Sequence, residues 1–232
     1  MIHQPDFVPY LGFFHRFIGA DLYVALDHVQ FVNKGRGWTH RDKIKTPQGA
    51  QWLTLSVRKS SLVTPIKDVL LAEGSWREDN LNLLRANYRS SPYFDEIFPS
   101  IELLYARPIG RLVDFTMESI SLLSNWLDTP VPIVFSSALA PWGRKTEMLV
   151  DLLLKVGATR YVSGVGARVY LEPDLFVKAE IELVWQEFTH PVYPQLHGDP
   201  LPYLSSIDLL FNCGVVASRA ILRDQQYTYR SP

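Results

Sequence analysis

Strands and helices alternate along most of this sequence, which predicts an α/β fold: a central, largely parallel sheet with flanking helices and a helical insertion at about 65–127. Three observations carry that expectation. Short β-rich runs such as Leu22-Tyr23-Val24-Ala25-Leu26 and Arg160-Tyr161-Val162 end in small or polar residues. Helical spacing recurs between them, most clearly at Val113, Met117, Ile120, Leu123 and Leu127. Finally, no repeat or low-complexity linker divides the chain, so one domain spanning 1–232 is expected.

In chain order, Ile2 ends a first strand that Met1-Ile2 leaves as a stub, unless the annotated start is late. Pro5 and Pro9 bar a helix from the loop that follows, and helix resumes near Leu11 after a proline- and glycine-shaped turn. The second strand closes at Asp27, ahead of His28-Val29-Gln30-Phe31. A basic run (Lys34, Arg36, Arg41, Lys43, Lys45) then reads as an ordered loop or hairpin tip. It is suited to a solvated face or to one anionic ligand. Gln51 to Val57 alternates as a half-buried strand, with Leu53, Leu55 and Val57 on one face.

Within the helical part, Ser75-Trp76-Arg77-Glu78 fits a capping box, with Leu81, Leu84 and Tyr88 facing inward until Ser90-Ser91-Pro92. Phe94, Ile97 and Phe98 start a further helix, which Pro99 is expected to interrupt. Val131 to Phe135 is a strand followed by Ser136-Ser137. Arg144 to Val156 is a helix closed by Gly157. Ile181 to Phe188 is the last long strand, and a final helix starts at Ser205-Ser206 and stops at Gly214.

Composition excludes several functions. A net charge of −1 leaves no footprint for nucleic acid or an anionic membrane surface. No run has the length of a membrane span and no targeting segment precedes the first motif, so the expected location is cytoplasmic. The single cysteine, Cys213, forbids an internal disulfide and sits in an apolar run where a small hydrophobe belongs. The six histidines lack metal-ligand spacing, so no metal site is expected. No Walker or dinucleotide glycine motif and no GxSxG elbow is present, and no cofactor can be named.

What remains is a set of polar residues at the ends of expected strands: His3 and Gln4, Asp27 and Gln30, Arg41, Ser136 and Ser137, and Ser163 with Gly164. In a parallel sheet the carboxyl ends of neighbouring strands converge on one crevice. A histidine beside a carboxylate and an arginine is sufficient for general base catalysis on an amine or hydroxyl, with the cation holding an anionic group. The small residues Ser163-Gly164-Val165-Gly166-Ala167 either turn their amides toward an anion or make a plain strand-to-loop turn.

The chain also resembles the WbqC-like family. The resemblance rests on His3-Gln4-Pro5 with Pro9-Tyr10-Leu11-Gly12, on Val24-x-Leu26-Asp27-x-Val29-Gln30-Phe31, and on Trp38-x-x-Arg41. It continues through Tyr88-x-x-x-Pro92-Tyr93-Phe94, Ser163-Gly164-x-Gly166-Ala167 and Asp208-Leu209-Leu210-Phe211-Asn212-x-Gly214. One departure is His40, where the family pattern has an asparagine before the motif arginine. The resemblance implies an acyl- or aminoacyl- (glycine-type) transferase acting on a nucleotide-linked amino sugar in surface-polysaccharide (O-antigen) biosynthesis. On that reading His3 is the base and Asp27 orients it. Gln4, Gln30, Arg41, Ser163 and Gly164 hold substrate, with phosphate on Arg41 and the Ser163-Gly164 turn. The rival expectations are an ATP-using enzyme of the nucleotidyl-transfer kind and a non-catalytic sugar-binding or assembly protein.

Overall fold

A computed structural model describes residues 1–33, 37–59, 61, 63–225 and 228–230. Strands and helices are mixed as expected, but the strands form small sheets. In the first, β1 (Ile2–His3) pairs parallel with β2 (Tyr23–Ala25), and β2 pairs parallel with β5 (Ile133–Phe135). In the second, β6 (Arg160–Gly164) runs parallel to β7 (Glu182–Glu187), which pairs antiparallel with β8 (Thr228–Arg230). β3 (Arg41–Thr46) and β4 (Gly49–Thr54) make a separate antiparallel hairpin.

β1 lies beside β6, so the two parallel units meet edge to edge. One large sheet does not form across that seam. Among the described residues, the two of β1 pair with β2 alone. The seam is what makes room for the site described below.

Side chains alternate across β1 and β2. Tyr23 and Ala25 join a large apolar core with α1 (Leu11–Ile18), α2 (Trp76–Tyr88), α3 (Phe94–Ala106), α4 (Leu112–Leu127) and the first half of α8 (Ser206–Asp224). Ile2 and Val24 point the other way, into a smaller core with α6 (Lys145–Lys155), α7 (Pro173–Lys178), β6 and β7. The short helix α5 (Ser136–Leu139) follows β5 directly.

Several local expectations are corrected. Ser75 begins α2 but makes no capping bond: its backbone is already helical, and its hydroxyl donates to Asp79 instead (2.7 Å). Pro99 lies inside α3 without ending it, because the proline is on the exposed face, where water can satisfy the carbonyl it leaves unpaired. Gly214 (φ +72°) kinks α8 rather than stopping it, and a Cβ there would meet the Tyr93 ring at 2.5 Å. Lys34 and Arg36 of the basic run lie outside the described residues. The rest of that run forms β3, where Lys45 is buried and donates to the carbonyls of Gly198 (2.9 Å) and Asp199 (2.6 Å). That lysine is structural. Cys213 is half-buried against the large core, and burial pushes its thiol up.

Candidate functional site

The loop between β1 and α1 is shaped by its two prolines and then clamped from three directions. Phe7 N–H donates to the Trp38 carbonyl (3.2 Å), and Val8 N–H to Ser119 Oγ on α4 (3.2 Å). At the start of α8, the Ser205 hydroxyl donates to the Val8 carbonyl, and the Ser206 hydroxyl to that of Pro9 (2.7 Å). These clamps hold Val8 at φ +39°, an unusual conformation for a β-branched residue and a form of strain that collects at functional sites.

Beyond this loop, over the carboxyl ends of β1 and β6, a cavity of about 490 Å³ opens, within the range of small-molecule sites. The first loop contributes His3, Asp6 and Tyr10, α1 contributes Arg16, and the hairpin side contributes Trp38 and Asp42. Ser163, Gly164 and the turn after β6 form the opposite wall with Gln186, while Phe188, Tyr170 and Tyr203 complete an aromatic rim. Gly12 is required here: a Cβ would fall 2.4 Å from the Tyr10 ring, which lies across the helix start. Gln186 ties the walls together, donating to the Gly12 carbonyl (2.9 Å) and contacting His15 Nδ1 (2.9 Å).

The electrostatics are unusual for a closed protein interior. Asp6 is 7% exposed, shows no hydrogen bond among the described residues, and has His3 Nδ1 3.5 Å from its Oδ2. Burial pushes its carboxyl up to about 7, partly countered by the Arg16 charge. Asp42 is also buried. It accepts the Lys43 N–H (2.6 Å), yet burial, with a smaller push from Asp6, holds it well above the usual carboxylate range. His3 Nδ1 lies 2.9 Å from the Gln4 carbonyl, so this nitrogen carries the proton. Burial first and the Arg16 charge second hold the ring neutral, although a third of the side chain remains open to the pocket. Arg16 is 4% exposed and its Nε has no hydrogen-bond partner among the described residues.

The structure therefore brings His3, Ser163 and Gly164 into one pocket and leaves the other four expected residues outside its lining. Asp27 does not orient His3. Its carboxylate accepts from Ser136 Oγ (3.0 Å), Ser137 N–H (2.8 Å) and Ser137 Oγ (2.6 Å), which pins α5 to the end of β2. Gln4 accepts from the Thr39 hydroxyl (3.3 Å) and Gln30 bridges to Pro65 at the surface. Arg41 donates to the Gly37 carbonyl (3.3 Å) and lies 4.2 Å over the Trp52 ring, so it braces the hairpin. His40, at the departure from the family pattern, packs edge-on against Phe31 away from the pocket.

Sequence reasoning missed Asp6, Arg16 and Asp42. Arg16 left a signal, since a cation within Leu11-Gly12-Phe13-Phe14-His15-Arg16-Phe17 is out of place in a helix buried on every side. Asp42 was hidden between Arg41 and Lys43, where the run reads as basic although strand alternation turns Asp42 and Ile44 inward.

A profile described as the WbqC-like protein family matches residues 4–220, from the first motif into α8. The chain belongs to that family. A Mycobacterium tuberculosis relative named "Uncharacterized protein Rv1507c" is 30% identical over 230 residues, covering 93% of this chain and 94% of its own. No solved structure matches significantly. Among the described residues, no helix is long and apolar enough to cross a membrane and no cluster of three metal-ligating side chains occurs.

Proposed function

We propose that the pocket between β1 and β6 is the active site of an acyl- or aminoacyl-transferase. Its acceptor would be the amine of a nucleotide-linked amino sugar destined for surface polysaccharide, the role that the family resemblance implies. The observation that supports catalysis is Asp6, a buried carboxyl without a hydrogen bond among the described residues, next to a neutral histidine in an open cavity. A carboxyl raised to about 7 is populated as both acid and base near neutrality, which is where a proton-transfer group works best. His3, held neutral at a low value, is the weaker base. The base role therefore passes to Asp6, and His3 is its neutral neighbour in the pocket, with Nδ1 3.5 Å from Asp6 Oδ2.

In the step proposed, the acceptor nitrogen attacks the carbonyl of an activated carboxylate (ester, thioester or acyl phosphate). The new C–N bond forms, and the nitrogen's proton goes to Asp6. The donor's C–O or C–S bond breaks, and the leaving group departs with the electron pair. Asp42, which burial holds well above the usual carboxylate range, lines the pocket on the same side as Asp6. Ser163 and Gly164 remain substrate-wall residues in this reading.

The test is to incubate the protein with a UDP-linked amino sugar and a panel of aminoacyl and acyl thioesters, and to look for the N-acylated product by mass spectrometry. Product that disappears with Asp6→Asn supports the assignment, and full activity in that variant contradicts it. The aromatic rim of Tyr10, Trp38, Phe188 and Tyr203 favours a second reading, sugar binding without chemistry. Saturable binding with no product across the panel would select it.

A further inference from the structure

Arg16 and Asp6 line the same cavity, both more than nine-tenths buried, yet they do not pair. No ion pair within 4.0 Å joins Arg16 to a carboxylate among the described residues, and its Nε lacks any hydrogen-bond partner. Leaving opposite charges buried and apart costs several kcal/mol that direct pairing would offset. A protein selected for stability alone would bring them together. Here the cavity keeps them apart.

The surroundings of Arg16 suit an anion. Its Nη1 lies 3.6 Å from where a Cβ on Gly164 would be, so the guanidinium rests against a bare stretch of backbone at the end of β6. Its charge acts on His3, Tyr10, Tyr161 and Tyr170, all of which line the pocket. The Asp6–Asp42 side is the reverse: two buried carboxyl groups within each other's field, with aromatic rings beside them. An ammonium arriving there would stabilise their ionised forms and be held by them.

We infer that the pocket takes a dipolar small molecule, with an anionic group on Arg16 beside Ser163–Gly164 and an amine on Asp6 and Asp42. The anion is a phosphate or a carboxylate, because a guanidinium matches both. This inference rests on the pocket proposed above as the active site, and not on acyl transfer taking place there. Binding alone therefore tests it, and a failure to find transfer chemistry leaves it standing.

The experiment is calorimetric titration of the full chain with two probe sets. The phosphate set is glucosamine 6-phosphate, glucosamine (amine only) and glucose 6-phosphate (anion only). The carboxylate set is glycine, glycine methyl ester (amine only) and N-acetylglycine (anion only). In at least one set the dipolar probe is expected to bind tenfold or more tightly than either half-probe, and the set in which it does so identifies the anion. Arg16→Met should then reduce the dipolar probe to the affinity of the amine-only one, and Asp6→Asn to that of the anion-only one. Arg16→Gln serves if the methionine variant does not fold. The inference is overturned if neither set shows the preference, or if the preference survives loss of the Arg16 charge.

Discussion

Asp6 and Asp27 occupy equivalent places in this fold and show different behaviour. Each follows the carboxyl end of a short parallel strand, β1 and β2 respectively, and each is buried, at 7% and 4% exposure. Asp27 accepts three hydrogen bonds from Ser136 and Ser137 and fastens α5 to the sheet. Asp6 accepts none from the described residues and faces a cavity that also holds Arg16. Burial alone does not mark a functional carboxylate. What separates the two is whether the protein itself has satisfied the group, since a buried polar group left unpaired costs stability and calls for another explanation.

Four substitutions put the comparison at risk. The largest effect is expected from Asp6→Asn, which should lower turnover in the acyl transfer proposed above by about 10²–10⁴-fold, the usual contribution of a positioned general base. Next, Asp27→Ala should lower the unfolding free energy in urea by about 2–4 kcal/mol, because it strands the buried hydroxyl of Ser136 and the half-buried donors of Ser137. Gly12→Ala drives a methyl into the Tyr10 ring. It should cost about 1–2 kcal/mol and weaken ligand binding by displacing that ring into the cavity. The smallest effect belongs to Arg41→Ala, which loses a stack on Trp52 worth under about 1 kcal/mol and should leave turnover unchanged. A large loss of turnover in the Arg41 variant would return that residue to the site.

The fold's local pieces were legible to different depths. The helix at Leu11 follows from the proline- and glycine-shaped turn before it, and the amphipathic α4 from its apolar spacing; both form as read, as does the start of α8 at Ser205-Ser206. The division into small sheets was not legible, because strand runs show which segments are extended but not which neighbours pair. For the candidate site, the opening motif pointed to a loop that borders the cavity, and His3, Ser163 and Gly164 line it. Asp27 lies outside that lining, and its partners, Ser136 and Ser137, are more than a hundred residues away in sequence, where no local pattern shows them. Asp6 stands three residues from His3, and nothing local distinguishes it. Its character comes from what surrounds it in space.

The most direct test is the stability of Asp6→Asn and Asp27→Asn, each compared with the parent protein at pH 8. A carboxyl whose folded value is raised from 3.8 to about 7 favours the folded state only while it is protonated. Its contribution is fully present below 3.8, fades as pH rises through that window, and is gone above about 7. His3 works in the opposite sense: held neutral, it supports the fold above 6.5 and less as pH falls, so both effects must be followed across the range. At pH 8 Asp6 is ionised in a site that disfavours the charge, and removing the charge should raise the unfolding free energy by on the order of 3 kcal/mol. Asp27→Asn should lower it, since an amide cannot accept all three of the bonds that Asp27 receives. Opposite signs are the expected result. If Asp6→Asn is destabilised at pH 8 to the same degree as Asp27→Asn, Asp6 is a structural carboxylate and the claim that it is held ready for a ligand is wrong.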